Sequence, residues 1–185
     1  MLSLYVHIPF CASRCCYCDF FLVTRLDHID RFFKALSSET ELRRNELAGK
    51  RVGAIHFGGG TPSLVPLRYI AAWLDQVSRL CSFSDAVEIA FEANPEDLGE
   101  DAMTELLGIG VTRLSLGIQS FSDAKLRALG RRHTPKEACE VTARAISLFP
   151  SVSVDLICGV PGEDASIWES DLAAALALRP HHLSV

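Results

Sequence analysis

The sequence predicts an α/β protein built as a partial (β/α)6 barrel of TIM type, ending inside its sixth strand. Three observations predict it. Short β-branched or apolar runs that end in Gly, Pro or polar turns alternate with longer segments of helical period, the pattern of repeated β-α units around a parallel sheet. Each unusual residue cluster follows a strand candidate: Cys11 to Cys18, Gly58 to Pro62, Asn94-Pro95, Gln119, and Gly159 to Gly162. In a parallel barrel, functional side chains gather at the carboxyl ends of successive strands, so all of these would meet on one face. An open doubly wound sheet is compatible with the alternation alone, and the placement of the clusters favours the barrel. With 49% hydrophobic and 22% charged residues, the 185-residue chain can bury one sizeable core, and residues 1–185 read as a single domain.

The strand candidates are Leu4 to Ile8, Ala54 to Phe57, Glu88 to Glu92, Arg113 to Ile118, Val152 to Cys158, and His182 to Val185. Asp27 to Leu47 places Ile29, Phe33 and Leu36 at helical spacing. Leu67 to Leu80, Glu100 to Leu107, Pro135 to Phe149 and Ser166 to Leu178 read as helices on the same grounds. Thr134 before Pro135 is an N-cap with proline at the first helical position.

A net charge of −5 with scattered Lys and Arg offers no basic surface for a phosphate backbone, so nucleic acid is not an expected partner. There is no cleavable leader pattern at Met1 to Phe10 and no apolar run of membrane-spanning length, which leads to the expectation of a cytoplasmic protein without a transmembrane segment. The seven cysteines are an odd number, and Cys11, Cys15, Cys16 and Cys18 crowd together, which fits metal better than cross-linking.

Cys11, Cys15 and Cys18 have the spacing C-x3-C-x2-C on a loop just after the first strand. One such loop can wrap a cubane and present three thiolates, leaving one iron for an exchangeable ligand, whereas closed [4Fe–4S] sites take four cysteines. The alternative is a structural zinc site, which wants four ligands and would draw on Cys16 or His7. Cys16 adjoins Cys15, and neighbours in a short loop rarely aim at one centre, so it is read as a non-ligand. Cys81, Cys139 and Cys158 stand apart on helix or strand patterns as small hydrophobes.

The run Tyr5-Val-His-Ile-Pro-Phe-Cys-Ala-Ser-Arg-Cys-Cys-Tyr-Cys-Asp-Phe resembles the radical-SAM signature of the coproporphyrinogen III dehydrogenase group, which includes a heme-chaperone branch. The resemblance implies the radical-SAM type of barrel. It also implies a [4Fe–4S] cluster on Cys11, Cys15 and Cys18 whose open iron is chelated by S-adenosylmethionine (SAM), and a low-potential electron donor. Reductive cleavage of SAM would give methionine and a 5′-deoxyadenosyl radical.

Further expectations follow for the cofactor contacts. Gly58-Gly59-Gly60-Thr61-Pro62 follows the second strand, where glycines let backbone N–H and C=O groups approach a ligand; by resemblance Gly59, Gly60 and Thr61 hold the methionine end of SAM. Glu92 ends the third strand as an acceptor at the barrel mouth, and the resemblance makes it a SAM contact. Gln119 after the fourth strand, Arg131 with its planar fork, and Asp155 on the otherwise apolar fifth strand line the same pocket by resemblance. Tyr5 and Tyr17 match contact positions, Tyr17 through its backbone near the adenine.

Phe20 stands two residues after the third cysteine, where the coproporphyrinogen dehydrogenases carry another cysteine. That departure favours the heme-chaperone branch, whose members bind heme and hand it to acceptor proteins. Members of the group run on for about another domain's length, 100–200 residues, so the resemblance gives this chain the amino-terminal core and places the heme-ligating histidine motif beyond Val185. Two function classes stand side by side: a heme-binding and delivery protein, and an oxidoreductase acting on a porphyrinogen.

Overall fold

The computed structural model describes residues 1–185. Six strands, β1 (Leu2–Ile8), β2 (Arg51–Gly59), β3 (Ser82–Ala93), β4 (Arg113–Gln119), β5 (Ser151–Leu156) and β6 (His182–Ser184), form one sheet in sequential order, parallel throughout. Sequential order has no reversal point, so the open doubly wound alternative is set aside in favour of barrel-type winding. β1 and β6 each pair on one side only, and the barrel is open.

The helices are α1 (Ile29–Leu42), α2 (Arg44–Leu47), α3 (Leu67–Ser78), α4 (Glu100–Gly108), α5 (Asp123–Ala128), α6 (Pro135–Leu148) and α7 (Ala165–Leu178). Burial alternates along each strand because successive side chains point to opposite faces. On β1, Val6 and Ile8 are buried while Tyr5 is open; on β4, Leu114, Leu116 and Ile118 are buried while Arg113, Ser115 and Gly117 are only partly covered. The buried set joins Ile55, Phe57, Ile89, Phe91, Val152 and Val154 with helix residues such as Ile70, Val77, Met103 and Ala145 in one apolar core of 31 residues. The opposite, concave face is polar.

Differences from expectation are local. The segment Asp27 to Leu47 breaks at Arg43 into α1 and α2, and Leu42 just before the break is 86% exposed, so the apolar period has lapsed there. β3 starts at Ser82, earlier than its apolar run, because Ser82 and Phe83 pair with Arg51 and Val52 before the register shifts. β5 ends at Leu156 rather than Cys158. The short helix α5 is an addition, six residues inside a segment read as loop. At α6, Thr134 caps as expected, with its side chain and that of Glu137 each accepting from the other's backbone N–H.

Candidate cofactor site

The loop after β1 is stapled at its base. Cys11 N–H donates to Val23 O at 3.1 Å, Val23 N–H to Pro9 O at 2.6 Å, and buried Phe10 meets Phe32 edge-on at 5.5 Å. These contacts fix Cys11 at the strand end and let the remaining cysteines curl over it. Inside the loop, Cys18 N–H closes a turn on Cys15 O at 3.1 Å and the Arg14 guanidinium donates to Cys18 O at 3.2 Å. Cys11, Cys15 and Cys18 line one cavity of about 560 Å³ at the carboxyl ends of the strands. Cys16 does not line it; its thiol is exposed and turned toward Ala128 O at 3.5 Å.

A mononuclear zinc ion would need its donors to converge at about 2.3 Å, and no three His, Cys, Asp or Glu side chains converge in that way. A cubane offers separate irons to separate thiolates, so three sulfurs spread around one loop suit it better than a single ion. Burial pushes the Cys11 thiol up, the Thr61 hydroxyl that donates to its Sγ at 3.3 Å pulls it down, and the neighbouring Cys18 and Cys15 push it up further.

The glycine run, which begins inside β2, departs from one expectation, that its N–H groups approach a ligand. Its amides do not await a ligand: Gly59 N–H donates to Glu92 Oε2 at 3.2 Å, Gly60 N–H to Ile8 O at 2.8 Å and Thr61 N–H to Phe10 O at 2.7 Å. The glycines are there because the backbone runs so close to β1 and β3. A Cβ on Gly60 would lie 2.8 Å from Phe10 O and Pro9 C, and one on Gly59, at φ +110°, would strike the His7 ring. Gly59, Gly60 and Thr61 nevertheless form a wall of the cavity.

Glu92, at the end of β3, is held through both oxygens, Oε1 by His56 Nε2 at 2.8 Å and Oε2 by the Gly59 amide. Asp155, on β5, accepts from Ser115 Oγ at 3.0 and 3.1 Å and from Ser153 Oγ at 3.3 Å; burial pushes its carboxyl above the usual range. Gln119 ends β4 at φ +68°, a left-handed conformation costly for a side-chain-bearing residue, and its carbonyl accepts from Ile157 N–H at 3.0 Å. All three line the cavity.

Arg131 is buried against the wall, its Nη2 donating to Asn94 Oδ1 at 2.6 Å and Gly117 O at 2.8 Å, while its Nε is buried without a partner. A buried guanidinium donor left open beside a cavity calls for an acceptor such as a carboxylate. Together with the thiol set, this orphan N–H makes the cavity a fit for an iron–sulfur cluster and a small polar ligand. Arg132, its neighbour in sequence, is half-exposed and pairs with Glu96 and Asp97. The Tyr17 hydroxyl accepts from Arg131 Nη1 at 3.5 Å, and burial pushes its phenol up to about 12.

Of the residues expected at the site, Tyr5 alone falls outside the cavity lining. It projects from the concave face of β1, 60% exposed, edge-on to His56 with centroids 5.5 Å apart and its hydroxyl 3.4 Å from His7 Nδ1. Its register partner is His56, three residues short of Gly59, and this sets it below the mouth. Sequence reasoning missed Asn94 and His56 as supports and overlooked two buried networks. In one, His133 bridges Glu96 and Ile118 O at 3.2 and 3.0 Å. In the other, Lys125 pairs with Glu163 and, at 3.0 Å, with Asp171, which also takes Ser120 Oγ and Phe121 N–H. Asp171 closes the polar run Glu169-Ser170-Asp171 before the apolar half of α7, so nothing in the pattern set it apart as the buried member.

The comparisons with known proteins agree with this architecture. The family model of the radical SAM superfamily matches residues 5–174. The heme chaperone HemW of Escherichia coli strain K12 is 37% identical over 187 residues, covering 99% of this chain and 49% of that protein. The mitochondrial radical S-adenosyl methionine domain-containing protein 1 of Danio rerio is 37% identical over 185 residues, 99% of this chain and 42% of its own length. The solved structure of the E. coli coproporphyrinogen III oxidase HemN, a radical SAM enzyme, superimposes with a TM-score of 0.91 at 30% identity, covering 98% of this chain and 43% of that one. The chain thus spans about half the length of the relatives it matches, and over that span it belongs to the radical SAM superfamily.

Proposed function

We propose that this chain is the cofactor-binding core of a heme-binding and heme-delivering protein, with a [4Fe–4S] cluster on Cys11, Cys15 and Cys18 and SAM beside it. The observation that carries the reading is the shared cavity, which joins the three thiols to Glu92, Asp155 and Arg131. When bound, cluster and SAM supply one-electron cleavage of a sulfonium S–C bond. The chain's residues bind and orient: the orphan Arg131 N–H takes a ligand carboxylate, and Glu92 and Asp155 accept from ammonium or hydroxyl groups. Phe20, 65% exposed at the cavity rim, supports the heme-chaperone reading over the oxidase reading, since it leaves no fourth thiol there. The oxidase reading draws on the likeness to HemN. A low-potential electron donor and a heme-acceptor protein complete the proposal, in a reducing compartment such as the cytoplasm that keeps all seven cysteines as thiols. No helix is long and apolar enough to cross a membrane.

Anaerobic reconstitution followed by heme titration and coproporphyrinogen turnover tests the proposal. The full-length heme-chaperone relative should bind heme tightly, and neither it nor this chain should decarboxylate coproporphyrinogen. SAM should perturb the spectrum of the reduced cluster, less so in Glu92→Ala. Robust turnover would establish the oxidase reading instead, and an unchanged spectrum at saturating SAM would remove the proposed chelation.

A further inference from the structure

Four side chains, Arg131, Asn94, Thr61 and Cys11, form a hydrogen-bonded chain whose direction is fixed by donor chemistry. Arg131 has donors only, so the Asn94 atom 2.6 Å from its Nη2 must be the acceptor Oδ1. That settles the orientation of the amide and leaves Nδ2, a pure donor, facing Thr61 Oγ1 at 3.4 Å. With a lone pair so engaged, the Thr61 hydroxyl turns its single proton to Cys11 Sγ at 3.3 Å. Thr61 and Cys11 are both largely buried where they meet at the cavity wall, which strengthens the bond between them. Asn94 is further tied down by its own N–H on Ser63 Oγ at 3.1 Å, while Ser63 donates to Asp97 at 2.9 Å.

We infer that Thr61, aligned by Asn94 and Arg131, is a positioning residue that tunes the cluster's reduction potential by donating a hydrogen bond to the Cys11 sulfur. The inference rests on the cluster reading above and adds a role to a residue so far treated as a wall of the SAM pocket. Hydrogen bonds to cluster sulfurs are among the levers that set cluster potential. A donor stabilises the more negatively charged, reduced cluster more than the oxidised one, so it raises the potential. Because the chain begins at Arg131, a ligand that draws on that guanidinium is felt at Cys11 through Asn94, without touching the sulfur.

The test is a redox titration of the reconstituted protein followed by electron paramagnetic resonance, with iron counted in every sample. Thr61→Val keeps the shape and removes the proton; the reduced-to-oxidised ratio at a fixed poise should fall up to about tenfold, as the loss of one hydrogen bond to a charged group allows, equivalent to 59 mV for one electron. Thr61→Ser keeps the donor and should titrate like the wild type. Asn94→Asp offers the hydroxyl a competing acceptor and should lower the potential in the same direction, less so in the Thr61→Val background; it serves as the second probe should Thr61→Val fold poorly. Unchanged potential in Thr61→Val at full iron content would overturn the inference, as would a Thr61→Ser shift equal to that of Thr61→Val, which would trace the effect to packing. Wild-type protein that takes up no cluster would instead bring down the cluster reading on which the inference stands.

Discussion

Cys15 and Cys16 are neighbours in sequence and part company in space, one lining the cavity and the other turned to Ala128 O. Ala substitution of Cys11, Cys15 or Cys18 should therefore abolish a reconstituted content of about four irons per chain, and Cys16→Ala should retain it; iron and sulfide assays read the difference. That Cys11, Cys15 and Cys18 gather at one cavity while Cys16 stays out of it was legible from their spacing. The state of the glycine-run amides was not, because it depends on how near β1 passes. Gly60→Ala should destabilise by about 1–3 kcal/mol in chemical denaturation, as overpacking against unyielding backbone does. Glu96 behaves differently. Burial pushes its carboxyl up, but hydrogen bonds from His133 and from its own backbone, with Arg131 nearby, outweigh that and hold it at about 2, against an ordinary 4.5. A lowered carboxylate contributes stability that is complete above its unfolded value and lost as pH falls from about 4.5 toward 2, on the order of 3 kcal/mol here. Glu96→Gln should flatten the acid limb of the unfolding curve over that window, and an unaltered limb would show that Glu96 is not its source.

Among the elements, the strands were readable because their outward faces are apolar and their ends carry the odd residues, whereas α5 hides as a short turn between Gln119 and Arg131. Its signals were Ser122 before Asp123 and Gly130 after Leu129. What gives α5 its importance is Lys125, buried under the Trp168 ring at 5.2 Å and paired with Glu163 of the β5–α7 loop and Asp171 of α7. Glu163 in turn accepts from Gly159 N–H at 2.6 Å and Val160 N–H at 3.0 Å, so one cation gathers the loops that follow β4 and β5. Lys125→Met leaves two buried carboxylates without a counter-charge and should cost about 3–5 kcal/mol. Hydrogen exchange should localise the loss to Phe121, Gly159 and Val160 before it reaches the central strands. Uniform loss of protection would mean that the network supports the whole sheet rather than these loops.

At the scale of the whole molecule, one continuous core of 31 residues under a sequentially ordered sheet argues for cooperative unfolding. Far-ultraviolet circular dichroism and the fluorescence of Trp73 and Trp168 should report one coincident transition; separate midpoints would divide the chain into more than one unit. The core lies on the convex side alone, and neighbouring residues of the same strand serve opposite masters: Val6 packs under the helices while His7 looks into the concavity, and Leu114 and Ser115 repeat the arrangement on β4. Stability and recognition are thereby written on alternate letters of each strand. Exchanges at Ser3, Ala54 or Arg113 touch the concave side without opening a void in the packing. Such a scaffold can acquire a new substrate by rewriting one side of its sheet, one strand at a time, while the other side goes on specifying the same fold.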